Sequence, residues 1–143
     1  MVKKKKMSDY DQEVEKIRKY NQPILDEFQA WLEKSGLVRK TVKNHVENID
    51  FFAEYLVYYE PLSKLDEADV SDVYSFLGNW FPRKAMWASE SSMRSNMASF
   101  RKYFKFLRES RRVEKEVEDE VRETLKESKD EFLEAVEFDD SYW

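Results

Sequence analysis

Residues 89–107 read SESSMRSNMASFRKYFKFL, and this stretch carries two registers at once. Met93, Met97, Phe100, Tyr103, Phe104 and Leu107 recur every three or four positions, the spacing that lines one face of an α-helix. Arg94, Arg101, Lys105, Arg108 and Arg112 recur at similar steps on another face. Ser89, with Ser92 three residues on, is placed to cap the helix start. Residues 80–112 hold nine Arg/Lys against two acids, a local net of +7 inside a chain of net charge −5. The pattern predicts a helix with an apolar face for a core and a cationic face for solvent or a polyanion.

Outward from this stretch the chain keeps the same texture. A length of 143 residues suits one domain with an appendage, and ten Phe, eight Tyr and four Trp supply a core. Two Gly and three Pro leave few turn formers, which favours long helices over hairpins. The absence of cysteine excludes a disulfide framework and thiolate chemistry and is compatible with a reducing, cytoplasmic setting. No apolar run approaches the ~20 residues of a membrane span. The opening MVKKKK lacks the apolar region of a signal peptide and is expected to be a disordered basic arm over 1–7. Charge is segregated: residues 1–110 carry a net of +2, residues 111–143 a net of −7.

Ser8 is a fitting cap for a short helix over 8–20, with acids in its first turn. Pro23 predicts a break near Asn21 and a new helix to Ser35, ended by Gly36. A third helix is expected from Arg39 to Tyr58. Asp66, with Asp69 three residues on, is placed to cap the next, which buries Val70, Val73/Tyr74, Leu77 and Trp80/Phe81, with fraying expected at Gly78. Residues 82–88 read as a loop. Phe28, Trp31, Phe52, Tyr74, Phe100 and Phe104 are expected core, and Trp87 is expected to cover the core edge. From 113 to 143 the sequence predicts an acidic amphipathic helix and tail, with Val113, Val117, Val121, Leu125, Phe132 and Val136 as its apolar stripe.

Three stretches taken together, ILDEFQAWLEKSGLVRKTVKNHVENIDFFAEYL, LDEADVSDVYSFLG and SESSMRSNMASFRKYFKFLRE, resemble the N-terminal core-binding domain of tyrosine recombinases, the phage-integrase family. Gly36-Leu37, Thr41, Phe52, Tyr55-Leu56 and the basic-aromatic run Arg101 to Leu107 fill the family's positions. The resemblance implies an all-α, SAM-like four-helix bundle over 8–112, here with a short N-terminal helix and an acidic C-terminal helix. It implies a role in DNA binding, DNA integration and recombination, with the second and fourth helices of the bundle facing the duplex. On those helices the corresponding solvent sides carry Arg39, Lys40, Lys43, Asn44 and Asn48, and Ser91, Ser92, Arg94, Ser95, Arg101, Lys102 and Lys105. Arg and Lys neutralise phosphates, Ser and Asn donate to phosphate oxygens, and Asn44 or Arg94 can reach base edges. The bland reading of the same residues is a solvated helix face.

Two departures stand out. Val38 replaces the family's usual capping Ser, which costs about 1 kcal/mol. The catalytic half, with its Arg, Lys, His-x-x-Arg pair and Tyr nucleophile, has no counterpart: His45 is followed by Val46-Glu47-Asn48, and Tyr142 lies in an acidic terminus without an Arg cluster. The expectation is a non-enzymatic protein that does not cleave DNA. No cofactor is expected, since neither metal-ligand spacing nor a Gly-rich phosphate loop is present. The expected partner is duplex DNA, with a recombinase or a second copy of the chain as a further candidate through the C-terminal helix. That helix has three readings: a solvated continuation of the fourth helix, a fold-back over the basic face as a DNA mimic, or a Val/Leu/Phe stripe docking on a partner or a second copy; packing of the stripe on the bundle or on a second copy is the one expected.

Overall fold

In the computed structural model, residues 8–137 are described; the basic arm at 1–7 and Tyr142 lie outside them. The described residues are all-α, in the order α1 (Asp9–Lys34), α2 (Arg39–Leu56), a 3₁₀ turn (Leu65–Glu67), α3 (Val70–Ser75), a π-helical turn (Phe76–Trp80), α4 (Phe81–Lys84), α5 (Glu90–Glu109), α6 (Lys115–Glu127) and α7 (Lys129–Ala135). Four helical layers, α1, α2, α3 to α4, and α5, form the bundle. α2 packs on both α1 and α5, and α6 packs along α5.

The helix starts follow local chemistry. Ser8 accepts from the Asp11 amide at 3.1 Å, and Ser89 and Ser92 cap each other's backbone in a capping box. Val38 offers no side-chain acceptor to α2, whose first turn also holds no acid. Gly36, at φ 87°, ends α1 in the left-handed region.

Several boundaries differ from the sequence expectation. The expected break at Asn21 is absent: α1 runs through Pro23 as one 26-residue helix. Its buried stripe of Val14, Ile17, Asn21, Ile24, Leu25, Phe28 and Leu32 passes the proline uninterrupted. Pro23 sits on the exposed face, where water can serve the carbonyl it leaves unbonded. Asn21 has another task, accepting from the Leu65 amide at 3.0 Å in the buried interior. The cap of α3 is Asp69, in a reciprocal box with Asp72, and not Asp66. The Asp-x-x-Asp spacing occurs twice in succession, and the second instance wins; Asp66 accepts from the Tyr20 hydroxyl at 2.7 Å instead. The expected loop after Pro82 is helical to Lys84, because Pro82 falls in the first turn of α4, where its missing N–H costs nothing.

The core is continuous from α1 to α7. Phe28, Phe52, Phe100 and Phe104 are fully buried, with Phe52 edge-on to Phe100 at 4.8 Å between ring centroids. Trp31 is half-buried beside them. Tyr74 is not core: it is 41% exposed, since Val73 takes the inward position. Its ring leans on Phe132 and its hydroxyl donates to Glu131 at 2.6 Å. The acidic C-terminal stretch is two helices separated at Ser128, and Val121, Leu125, Phe132 and Val136 are buried in the same core as the bundle. Gly78 does not fray: it lies within the π turn, and the Phe132 ring of α7 packs against it, 3.4 Å from where a Cβ would stand.

Two outcomes test this architecture. Val38→Ser gives α2 an acceptor for its orphan amides and is expected to stabilise the fold by about 1 kcal/mol in urea denaturation; an unchanged midpoint refutes the missing cap. Truncation after Arg112 removes four buried apolar side chains, each worth about 1.5–3 kcal/mol. The truncated chain is expected to lose its cooperative melt by circular dichroism. A melt at the full-length midpoint would show that α6 and α7 are dispensable to the core.

Candidate nucleic-acid interface

The interface is built on the pairing of α2 with α5. The two helices run antiparallel: Asn48 on α2 donates to both Ser95 (3.0 Å) and Ser99 (2.9 Å), while His45, three residues earlier, meets Ser99 at 2.7 Å. Continuing the antiparallel register brings the first turns of α2 beside the second half of α5. Asn44 and Lys40 lie one and two turns before Asn48 on the same strip of α2, and both are exposed.

Arg101, Lys102 and Lys105 from α5 line a groove of about 470 Å³ between the end of α1 and α6, together with Lys34, Ser35, Trp31, Glu109 and Arg122. Arg101 and Lys105 are exposed and Lys102 half-exposed, and none of the three forms an ion pair among the described residues. Cations from three helices therefore converge on one accessible surface, which α6 borders through Arg122.

The other predicted residues are placed differently. Arg39 and Lys43 line a separate cleft between α1 and α2 with Glu33 and Glu47, and Lys43 pairs with Glu47 at 3.7 Å. Arg94 is tied to Glu90 at 3.0 Å. Ser92 is engaged in the α5 cap and Ser95 in the bond from Asn48, so both hydroxyls have structural partners. The solvent side of α2 also changes sign along its length, from Lys40 and Lys43 to Glu47, Asp50 and Glu54, so an anion is welcome only at its N-terminal half. Lys34 and Arg122 went unnoticed in the sequence. Lys34 lies at the end of α1, away from the basic run, and Arg122 is surrounded by acids, so only tertiary packing brings them to the groove.

His45 is buried and bonded to Ser99, which removes it as an accessible acid or base. Burial, with the nearby Lys102 charge, lowers its pKa from the usual 6.5. Trp87 is 57% exposed, yet its ring stands edge-on to Phe51 at 5.0 Å, as a cover for the core edge would. Among the described residues no group of His, Cys, Asp or Glu is arranged to hold a metal ion, and no helix is long and apolar enough to cross a membrane.

With four bundle helices and a basic α5 in place, comparison with known families gives one match: residues 25–111 match the phage integrase N-terminal SAM-like domain. The chain belongs to this family. The phage integrase SAM-like match spans α1 from Leu25 through the whole of α5 and ends at Arg111, so α6 and α7 lie beyond it. No curated protein and no solved structure matches the chain significantly.

The α2–α5 polar tie has a measurable signature. Because the folded His45 binds a proton less readily than the unfolded chain does, stability is unaffected by this residue well above pH 6.5 and falls as pH drops through about 6.5, until the folded-state pKa is passed. Denaturation at about pH 7.5 and about pH 5.5 is expected to show a smaller acid loss in His45→Gln than in the wild type. Equal losses would show that His45 does not carry the effect.

Proposed function

We propose that this chain binds duplex DNA through the face formed by the first turns of α2 and the second half of α5, without cutting it. The reading is supported above all by the convergence of Arg101, Lys102 and Lys105 on one open groove with Lys34 and Arg122. A second support is α2 itself, which starts with no capping side chain and two cations, Arg39 and Lys40, in its first turn. Its unsatisfied amides and its positive dipole end favour an anion such as a phosphate. Family membership points the same way, towards a DNA-binding role in recombination.

The physical mechanism is phosphate neutralisation and counterion release at the groove, with Lys40 and Asn44 of α2 set alongside to meet the backbone or a base edge. Catalysis is not part of the proposal: the lone histidine is locked in the α2–α5 interface. The role we infer is accessory to a recombinase, or competitive with one for its site. The rival reading, a protein-interaction module acting through the acidic C-terminal helix, loses its apolar docking face because that stripe is buried in the chain's own core.

Fluorescence anisotropy on a labelled duplex at a series of salt concentrations tests the proposal. Log affinity is expected to fall steeply and linearly with log salt. Arg101→Glu and Lys105→Glu should each weaken binding and flatten the slope by about 0.9 or more. Salt-independent binding, or charge reversals that bind as the wild type does, would overturn it.

A further inference from the structure

The groove has one wall that comes from outside the family match. Arg122 lies on α6, beyond residue 111, yet it lines the same groove as Arg101, Lys102 and Lys105. Its place there is not left to a mobile side chain. Glu118, one turn earlier on α6, is only 3% exposed and accepts from Arg122 at 3.3 Å and from Arg108 of α5. One buried carboxylate against two guanidinium groups leaves the trio with a net charge of +1. Glu118 also fixes α6 to α5 at the level of the groove. Arg122 keeps 58% of its side chain exposed, so its remaining N–H donors face solvent.

We propose that α6 is a working part of the DNA-binding surface: Arg122 is a phosphate contact, and Glu118 is the positioning residue that aims it. This rests on the DNA-binding reading above and extends it to a segment that the family does not supply. α6 thus contributes a cation to the polyanion site although the C-terminal stretch as a whole is strongly acidic. The geometry works against the tail as a mimic of DNA that masks the basic face: α6 presents a guanidinium to the groove, its Glu118 is buried and paired, and the one acid lining the groove, Glu109, belongs to α5. The ligand chemistry is the phosphate backbone of a duplex. Arg suits it better than Lys, since its planar fork can hold one phosphate with two donors while it is braced by a carboxylate.

The experiment is the same salt-dependent anisotropy titration, on full-length protein, with four variants whose folding is first checked by circular dichroism melting. Arg122→Ala is expected to lower affinity about three- to tenfold and to reduce the salt slope by about 0.9, the loss of one phosphate contact. Lys126→Ala removes the same charge from α6 without touching the groove and is expected to leave the slope unchanged. Arg122→Lys is expected to keep the slope and lose part of the affinity. Glu118→Gln makes the protein more positive by one charge, so general attraction alone predicts tighter binding, whereas loss of positioning predicts weaker binding.

If Arg122→Ala and Lys126→Ala behave alike while Arg101→Glu still weakens binding, the inference fails and the DNA reading stands. Tighter binding by a folded Glu118→Gln variant overturns the positioning role. If the wild type itself shows no salt-dependent binding, the DNA reading fails and takes this inference with it.

Discussion

Everything on the candidate DNA face depends on how α2 is held against α5. Two kinds of contact do this. Below the surface, Phe52 of α2 meets Phe100 of α5 edge to face, in the middle of a fully buried aromatic cluster. Above it, His45 and Asn48 meet Ser95 and Ser99 in a small polar seam. The aromatic contact supplies affinity between the helices but tolerates sliding. The seam fixes register, because a shift by one turn would strand the ring and amide groups of His45 and Asn48 without partners in a partly dry interface. Register in turn sets which α5 cations stand beside the first turns of α2.

The same constraint explains why the face is narrower than a count of Lys and Arg suggests. α2 is cationic only until the seam begins, and then Glu47, Asp50 and Glu54 occupy its solvent side. Within α5, the half nearer the cap uses its polar groups for structure: Ser92 in the cap, Ser95 in the seam, Arg94 with Glu90. The free cations concentrate in the second half, where α1, α5 and α6 meet. Net charge per segment is therefore a poor guide to the surface, and the pairing of each cation with its neighbours decides which charges face solvent unpaired.

Much of the fold was legible because its signals are local or strictly periodic. The Ser89–Ser92 cap, Gly36 as the end of α1, and the apolar stripe of α5 each follow from residues within one or two turns. What escaped the sequence was settled at long range. Pro23 would end most helices, but a buried stripe running on both sides of it outweighs the lost hydrogen bond. Val73 and Tyr74 both fit the apolar stripe of α3, and only the packing of that helix into the bundle turns Val73 inward. The site shows the same division. Arg101, Lys102 and Lys105 were visible as a basic-aromatic run, whereas Lys34 and Arg122 join them only through the packing of α1 and α6.

The corner between α5 and α6 carries a further implication. Arg111 adopts a φ of 62°, a left-handed conformation that an L residue other than glycine holds at a cost of about 1–2 kcal/mol. The turn thus opposes the return of the C-terminal helices, and their docking is maintained by the tie of Glu118 to Arg108, by the burial of Val121 and Leu125, and by Phe132 against Gly78. A reluctant corner closed by contacts along the whole returning segment ties that segment to the bundle as one cooperative unit. Under native conditions the amides of α6 and α7 would therefore exchange with solvent only in the opening that also bares those of α2 and α5, and Arg122 would leave the groove only then.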